Sequence, residues 1–117
     1  MNAEKFTQKS LQAVQSAQNV ALEYGNAEIT TLHFAYALSE KDGLNYRILR
    51  RAGVDADGLC RALKEEIERI PRVSGGGQCY PTQAFQRTLT EAEKLADGMK
   101  DDYISVEHLF LCLFDNF

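Results

Sequence analysis

Two stretches of the chain, ITTLHFAYAL at residues 29–38 and ISVEHLFLCL at residues 104–113, closely resemble each other. Isoleucine opens both stretches, histidine is the fifth residue of both, and leucine closes both. The two stretches lie 75 positions apart and align without a gap. Such a shared offset is either a coincidence or the trace of an internal duplication, and the residues around the two stretches distinguish these explanations.

The segments that precede the two stretches match under the same offset. Thr7-Gln8 falls on Thr82-Gln83, and the apolar residues that follow fall on small or apolar residues. The pairs are Val14 and Leu89, Ala17 and Ala92, Ala21 and Ala96, and Tyr24 and Met99. Because these positions recur every three or four residues, each copy predicts a helix with one apolar face. We therefore predict an internal duplication.

Helix starts also agree between the two copies. Thr7 and Thr82 precede the first helix of each copy, and Thr30 and Ser105 precede the second. Hydroxyl side chains at these positions can accept hydrogen bonds from the free N–H groups of the first helical turn. We expect all four residues to be N-caps.

Two more helices are predicted between the copies. A short helix over 44–52 ends at Gly53, which suits a left-handed C-terminal cap. Asp55 or Asp57 begins the next helix, and Pro71 ends it. Its apolar face is formed by Leu59, Leu63, Ile67 and Ile70. No stretch has four alternating β-branched residues, so we expect no strand.

These elements predict a single all-α domain over residues 1–117. Repeat one, with four helices, covers about residues 6–73, a glycine-rich connector covers 74–81, and repeat two, with two helices, covers 82–117. The chain ends in the apolar stretch LFLCLFDNF, whereas natural termini are usually polar. We therefore expect the second repeat to be truncated and the 117 residues to belong to a longer natural chain.

Composition narrows the function classes. The formal net charge is −4 with acidic and basic residues mixed, which argues against a nucleic-acid partner. No run of about 18 apolar residues is present, so we expect no membrane partner. The three cysteines form no C-x-x-C pair, and no Cys/His spacing predicts a zinc site or a catalytic pair around Cys79. His33 and His108 are expected to be hydrogen-bonded near helix starts.

The ordered set of motifs resembles one family. The chain has F-T-x-K at its start and I-S-x-E-H-L-F-L in the second copy, with IPRVSGGG at residues 70–77 between them. This set resembles the N-terminal domain of Clp-family AAA+ chaperones, most closely that of the ClpB-type protein disaggregase. The resemblance implies a pseudo-twofold, duplicated four-helix fold. The first copy departs from the pattern because Leu32 stands where Glu107 stands in the second.

The resemblance implies a substrate-recognition module without enzymatic activity of its own. Such a domain binds unfolded or aggregated polypeptides, or adaptor proteins, and passes them to a hexameric ring in the cytoplasm. The parent chain would use ATP and magnesium, whereas this stretch has no G-x-x-x-x-G-K-[ST] and no cofactor is expected in it. An adaptor-docking domain of a protease-linked Clp unfoldase and an oligomerisation module are the alternatives.

Five residues are predicted to bind substrate. The resemblance implies this role for Thr7, Asp101 and Glu107. Leu95 and Leu109, together with Ala92, are predicted to line an apolar groove. Such a groove suits unfolded chains, because burial of apolar surface is non-directional and does not select one particular sequence. The competing interpretations are that the apolar residues are ordinary core, that Thr7 is only an N-cap, that Asp101 is only a solvated turn residue and that Glu107 only complements the helix dipole.

Overall fold

The computed structural model describes residues 3–73 and 78–116. These residues form six α-helices, two very short strands and a 3₁₀ turn at each end of the described chain. The elements are α1 (Gln8–Glu23), β1 (Glu28–Ile29), α2 (Thr31–Leu38), α3 (Leu44–Arg51), α4 (Ala56–Glu68), β2 (Tyr80–Pro81), α5 (Gln83–Gly98) and α6 (Val106–Leu113), with 3₁₀ turns at Ala3–Lys5 and Phe114–Asn116. The all-α prediction is confirmed, with four helices before the connector and two after it.

The N-caps of the long helices lie where the sequence predicts them. The side chain of Thr7 accepts a hydrogen bond from the N–H of Ser10 at 3.1 Å. The side chain of Thr82 accepts one from the N–H of Phe85 at 3.2 Å. Each bond satisfies a backbone donor that has no partner within its helix, which is why both helices begin at equivalent positions.

The shorter helices α2 and α6 share a reciprocal cap that uses histidine. In α2 the N–H of Thr30 donates to His33 Nδ1 at 2.9 Å, while the Thr30 hydroxyl accepts from the N–H of His33. In α6 the N–H of Ser105 donates to His108 Nδ1 at the same distance. Histidine thereby does at the third helical position what glutamate or glutamine does in the usual capping box.

Backbone pairing joins the two repeats, and it does so twice. β1 and β2 are parallel, with Ile29 opposite Pro81. An isolated parallel bridge joins Phe6 to Ile104. Phe6 and Pro81 are equivalent under the 75-residue offset, as are Ile29 and Ile104. The start of each repeat therefore pairs with the middle of the other, which gives the fold its pseudo-twofold symmetry.

The expectation of no strand is wrong for the segments at residues 28–29 and 80–81. Each strand has two residues, too few for alternation to appear in the sequence. Their hydrogen bonds run between repeats, with the N–H of Tyr80 donating to the carbonyl of Ala27 and the N–H of Thr82 to that of Ile29. Tertiary packing of the helices, rather than local β propensity, brings these segments together.

The core lies between the helix pairs α1–α2 and α5–α6. Ala17 and Ala92 are fully buried, so the helices approach closely at these positions. The rings of Phe34 and Phe85 meet across the two repeats with centroids 4.8 Å apart. The predicted apolar face holds for most of its length, but Met99 is 57% exposed because it lies beyond the last residue of α5.

The helices α3 and α4 complete repeat one. Gly53 has φ +83°, the left-handed conformation predicted for it. Asp55 is the N-cap of α4, and its carboxylate accepts from the N–H of Gly58 at 3.0 Å. Leu63 and Ile67 on α4 are buried as predicted. Residues 74–77 of the glycine-rich connector lie outside the described residues.

Candidate functional site

The bridge between repeats brings the start of α1 to the segment before α6. The N–H of Thr7 donates to the carbonyl of Ile104 at 3.0 Å, and the N–H of Ile104 donates to the carbonyl of Lys5 at 2.7 Å. The hydroxyl of the buried Ser10 also donates to the carbonyl of Ile104, at 2.8 Å. Thr7 is thus hydrogen-bonded to Ile104, which lies three residues before Glu107. The junction therefore links two segments that are about 100 positions apart in sequence.

Thr7 is half-buried and its side chain is engaged as the N-cap of α1. Glu107 is exposed in the first turn of α6, where a carboxylate is favoured by the helix dipole. Both structural roles anticipated from the sequence are therefore present. These roles do not conflict with binding, because Glu107 is exposed to solvent.

Asp101 is part of a hydrogen-bonded pair with His108. Since the N–H of Ser105 donates to His108 Nδ1, the ring proton is on Nε2, which donates to Asp101 Oδ2 at 2.9 Å. The side chain of Asp101 is 46% exposed, whereas that of His108 is buried. Asp101 therefore fixes the turn before α6 and still presents carboxylate to solvent.

The equivalent pair in repeat one is neutral and buried. His33 Nε2 donates to Asn26 Oδ1 at 2.8 Å, and Asn26 is the positional equivalent of Asp101. Both residues are buried, and burial lowers the pKa of His33 from its usual value of 6.5. The two repeats thus share one hydrogen-bond geometry but differ in charge, with an acidic residue only in repeat two.

A cleft of about 620 Å³ lies beside the junction, between α1, the turn from α2 to α3, and the start of α6. Its lining includes the buried residues Ala13, Leu38 and Asn45, which form the floor. The exposed charged residues that form its rim are Lys9, Glu40, Lys41 and Asp42. The lining also includes Val106, directly before Glu107 in sequence. A partly apolar floor with mixed charges around it suits a short stretch of polypeptide.

The two leucines predicted to line a groove are placed differently. Leu109 has an exposed fraction of 0%, and Ala92 is equally buried, so both belong to the core. The side chain of Leu109 presents no surface to a bound polypeptide in this conformation. Leu95 is partly buried and packs against the core. Neither leucine is among the residues that line the cleft.

Cys60, Cys79 and both histidines make side-chain hydrogen bonds within the protein. Among residues 3–73 and 78–116, no group of three or more Cys, His, Asp or Glu is placed to hold a metal ion. Cys79 donates to the carbonyl of Asn26 at 2.9 Å. Burial raises the pKa of the Cys60 and Cys112 thiols, which keeps them protonated and poor nucleophiles. In this part of the chain no helix is long and apolar enough to cross a membrane.

Comparison with known proteins identifies the family. The model of the Clp repeat (R) N-terminal domain matches residues 5–116. This chain belongs to that family. The match extends over both repeats, and the reciprocal pairing between them is the arrangement that this Clp N-domain uses to form one body.

The similar proteins include ClpB and Hsp104 chaperones. The chain is 38% identical over 120 residues to the chaperone protein ClpB of Nitratidesulfovibrio vulgaris, a match that covers 98% of the chain and 14% of that relative. It therefore spans about one-seventh of the length of that curated relative. The Hsp104 N-terminal domain of Candida albicans has the same fold, with a TM-score of 0.87, 23% identity and coverage of 96% of this chain and 75% of that one.

A ClpV N-domain in complex with a VipB peptide also shares the fold. Its TM-score is 0.80 at 20% identity, with coverage of 96% of this chain and 69% of that chain. The chain is thus a Clp N-domain, and it is similar to the N-domains of ClpB and Hsp104 chaperones.

The cleft has no clear signature in the amino-acid sequence. Its lining comes from residues 9–16, 37–45 and 106, which are far apart in sequence. Ala13 and Leu38 read as ordinary members of apolar faces, and Asn45 reads as a polar residue of a short helix. The one available signal was the polar run at residues 40–43, between α2 and α3, which predicts a turn and therefore an opening between helices.

Proposed function

We propose that this chain is the substrate-recognition domain of an ATP-dependent protein disaggregase. It binds unfolded or aggregated polypeptides and passes them to a AAA+ ring. The observation that carries this proposal is the cleft beside the junction of the two repeats, with its buried floor and charged rim. The similarity to ClpB supports the assignment to a disaggregase, and the peptide complex of a ClpV N-domain supports polypeptide binding.

The cleft can bind chains of varied sequence for two physical reasons. Ala13, Leu38 and Leu44 provide apolar surface, and burial of apolar surface is non-directional. The side chains of Gln12, Ser16 and other polar lining residues offer donors and acceptors for the backbone of an extended polypeptide. Ala13 and Leu38 are already buried, so Leu44 has the most apolar surface left to cover; full burial of such a side chain contributes at most roughly 1.5–3 kcal/mol before ordering costs, so binding is weak and reversible, as transfer to a ring requires.

Thr7, Asp101 and Glu107 remain proposed substrate-binding residues. In the sequence, Thr7 lies two residues before Lys9 and Glu107 lies one residue after Val106. Both Lys9 and Val106 line the cleft. We propose that the exposed carboxylates of Asp101 and Glu107 select polypeptides with basic residues. Leu95 is retained as a more distant contact, whereas Leu109 is not, because it is buried.

The parent chain supplies the remaining activity in this proposal. ATP hydrolysis with magnesium, assembly into a homohexamer and a cytoplasmic location belong to the longer chaperone, of which this domain would be the first contact with substrate. Docking of an adaptor protein is the second candidate, and the ClpV N-domain bound to a VipB peptide favours it over oligomerisation, since that N-domain binds a peptide from another protein.

The test is an NMR titration with a permanently unfolded, apolar-rich polypeptide. We expect saturable shifts for amides along the cleft and at Thr7, Asp101 and Glu107. Leu44→Asp, which introduces a charge into the cleft, should weaken binding about tenfold. Leu11→Asp is the matched control, because Leu11 is similarly exposed (41% against 37%) but does not line the cleft. Equal affinity for both variants, or no shifts at millimolar polypeptide, would refute the proposal.

A further inference from the structure

Helix α3, LNYRILRR at Leu44–Arg51, has an outer surface that the core does not explain and of which only Leu44 also lines the cleft. Its inner side carries Asn45 and Tyr46, which are buried. Its outer side carries Leu44 and Ile48 in one row, with Ile48 49% exposed. Arg47 and Arg51 form a second row beside the first, because residues four apart lie one turn above each other.

The arginines of α3 are available for a partner. Arg47, Arg50 and Arg51 are exposed, and none forms an ion pair with another residue of the described ranges. Arg50 stacks over the ring of Tyr46 at 5.9 Å, while the Nε–H of Arg47 donates only to the carbonyl of Gly43, at 3.4 Å. Basic residues in the last turn complement the helix dipole, which accounts for Arg50 and Arg51 but not for Arg47.

We propose that this surface, defined by Leu44, Arg47, Ile48 and Arg51, docks an acidic amphipathic helix of a partner protein. The apolar row receives leucine or isoleucine side chains that are spaced three or four residues apart in the partner. The arginine row pairs with glutamates that flank those side chains, as in the ion pairs that border the apolar seam of coiled coils. Arginine suits this role because its planar guanidinium binds carboxylates through two hydrogen bonds.

Other occupants fit the same surface less well. In a symmetric dimer through α3, the arginine rows of both copies would face each other and repel. The helix has 8 residues, about 12 Å, and presents two apolar side chains, which is too little for stable membrane insertion. A nucleic acid would leave Ile48 exposed, and the protein's net charge of −4 would repel the phosphate backbone. An acidic helix uses both rows.

The experiment uses a fluorescent synthetic peptide as the probe. It is an amphipathic helix of about 20 residues with leucines on one face and glutamates beside them. The control peptide has lysine in place of every glutamate. Fluorescence anisotropy measures the Kd of each peptide, and NMR shifts locate the bound glutamate peptide. We expect saturable shifts at α3 with the glutamate peptide, no shifts at α3 with the lysine peptide, and weaker binding of the glutamate peptide at higher salt.

Variants assign the binding to the two rows. Arg47→Glu/Arg51→Glu should weaken the glutamate peptide by about tenfold or more, because two attractions become repulsions. Arg47→Gln/Arg51→Gln should weaken it less, and Ile48→Ala should weaken it several-fold. The matched control is Lys94→Glu/Lys100→Glu, which makes the same change in net charge at exposed positions on and after α5. Each variant is used after its circular dichroism spectrum and Tm show that it folds.

Three results would overturn the proposal. The first is absence of glutamate-peptide binding at millimolar concentration, and the second is an equal loss of affinity in the arginine and lysine variants. The third is binding of phosphatidylglycerol vesicles, or concentration-dependent dimerisation, that requires Arg47 and Arg51 while the glutamate peptide does not bind. None of these outcomes depends on the cleft, because the variants leave every residue of its lining unchanged.

Discussion

Replacement of Leu109 by alanine tests whether this side chain is core or binding surface. Leu109 is fully buried in the packing between α6 and α5, so truncation removes three buried carbons and leaves a cavity. Fully buried leucine-to-alanine changes cost about 2–5 kcal/mol. For a domain of 117 residues, a loss of about 3 kcal/mol lowers Tm by roughly 12 °C.

Urea unfolding followed by circular dichroism measures this loss, and the polypeptide titration measures binding of the same variant. Leu111→Ala is the matched control, because Leu111 lies on the same helix but is 58% exposed. We expect the control to stay within about 0.5 kcal/mol of the wild type. A Leu109→Ala variant that lost less than about 1 kcal/mol of stability yet no longer bound polypeptide would refute the assignment of Leu109 to the core.

Three further predictions concern the caps and the buried histidine. Thr82→Ala should cost about 1 kcal/mol of unfolding free energy because the N-cap bond to Phe85 is lost; a cost below about 0.3 kcal/mol in urea unfolding would contradict that role. Asp101→Asn should preserve stability within about 0.5 kcal/mol, since Asn26 makes the equivalent bond in repeat one, whereas Asp101→Ala should cost about 1 kcal/mol; equal losses in the two variants would show that the bond contributes nothing. Because burial lowers the pKa of His33 below 6.5, the unfolded chain binds a proton that the folded chain excludes, so stability should fall as pH drops below about 6.5. Urea unfolding at pH 7.5 and 5.5 measures this, and an equally steep pH dependence in His33→Gln would assign the effect to other groups.

Local interactions explain the parts of the structure that the sequence predicted. The N-caps at Thr7, Thr30, Thr82 and Ser105 depend on hydrogen bonds that span two or three residues, and the apolar faces depend on helical periodicity. The left-handed Gly53 follows from the conformational freedom of glycine. Each of these features requires only a short window of sequence, which is why a gap-free 75-residue offset was enough to expose the duplicated fold.

The candidate site could be predicted only in part, because it depends on contacts between residues that are far apart in sequence. Asp101 and Glu107 were predicted through resemblance to a family; both are exposed, and neither lines the cleft. Sequence periodicity identifies an apolar side chain but does not say whether a neighbouring helix covers it. Leu109 and Ile48 are both apolar residues of eight-residue helices, yet the first is fully buried and the second is half exposed.

The sequence by itself determined the helices, their caps, the duplication and the family, because these depend on contacts within one turn or on motifs in a fixed order. Only the tertiary structure decided how the repeats meet. The bridges from Phe6 to Ile104 and from Ile29 to Pro81 join residues that are 98 and 52 positions apart. The paired segments are one or two residues long, which is too short to leave a pattern in the sequence. The cleft is lined by residues of repeat one and by Val106 of repeat two, so it too depends on the packing of both repeats.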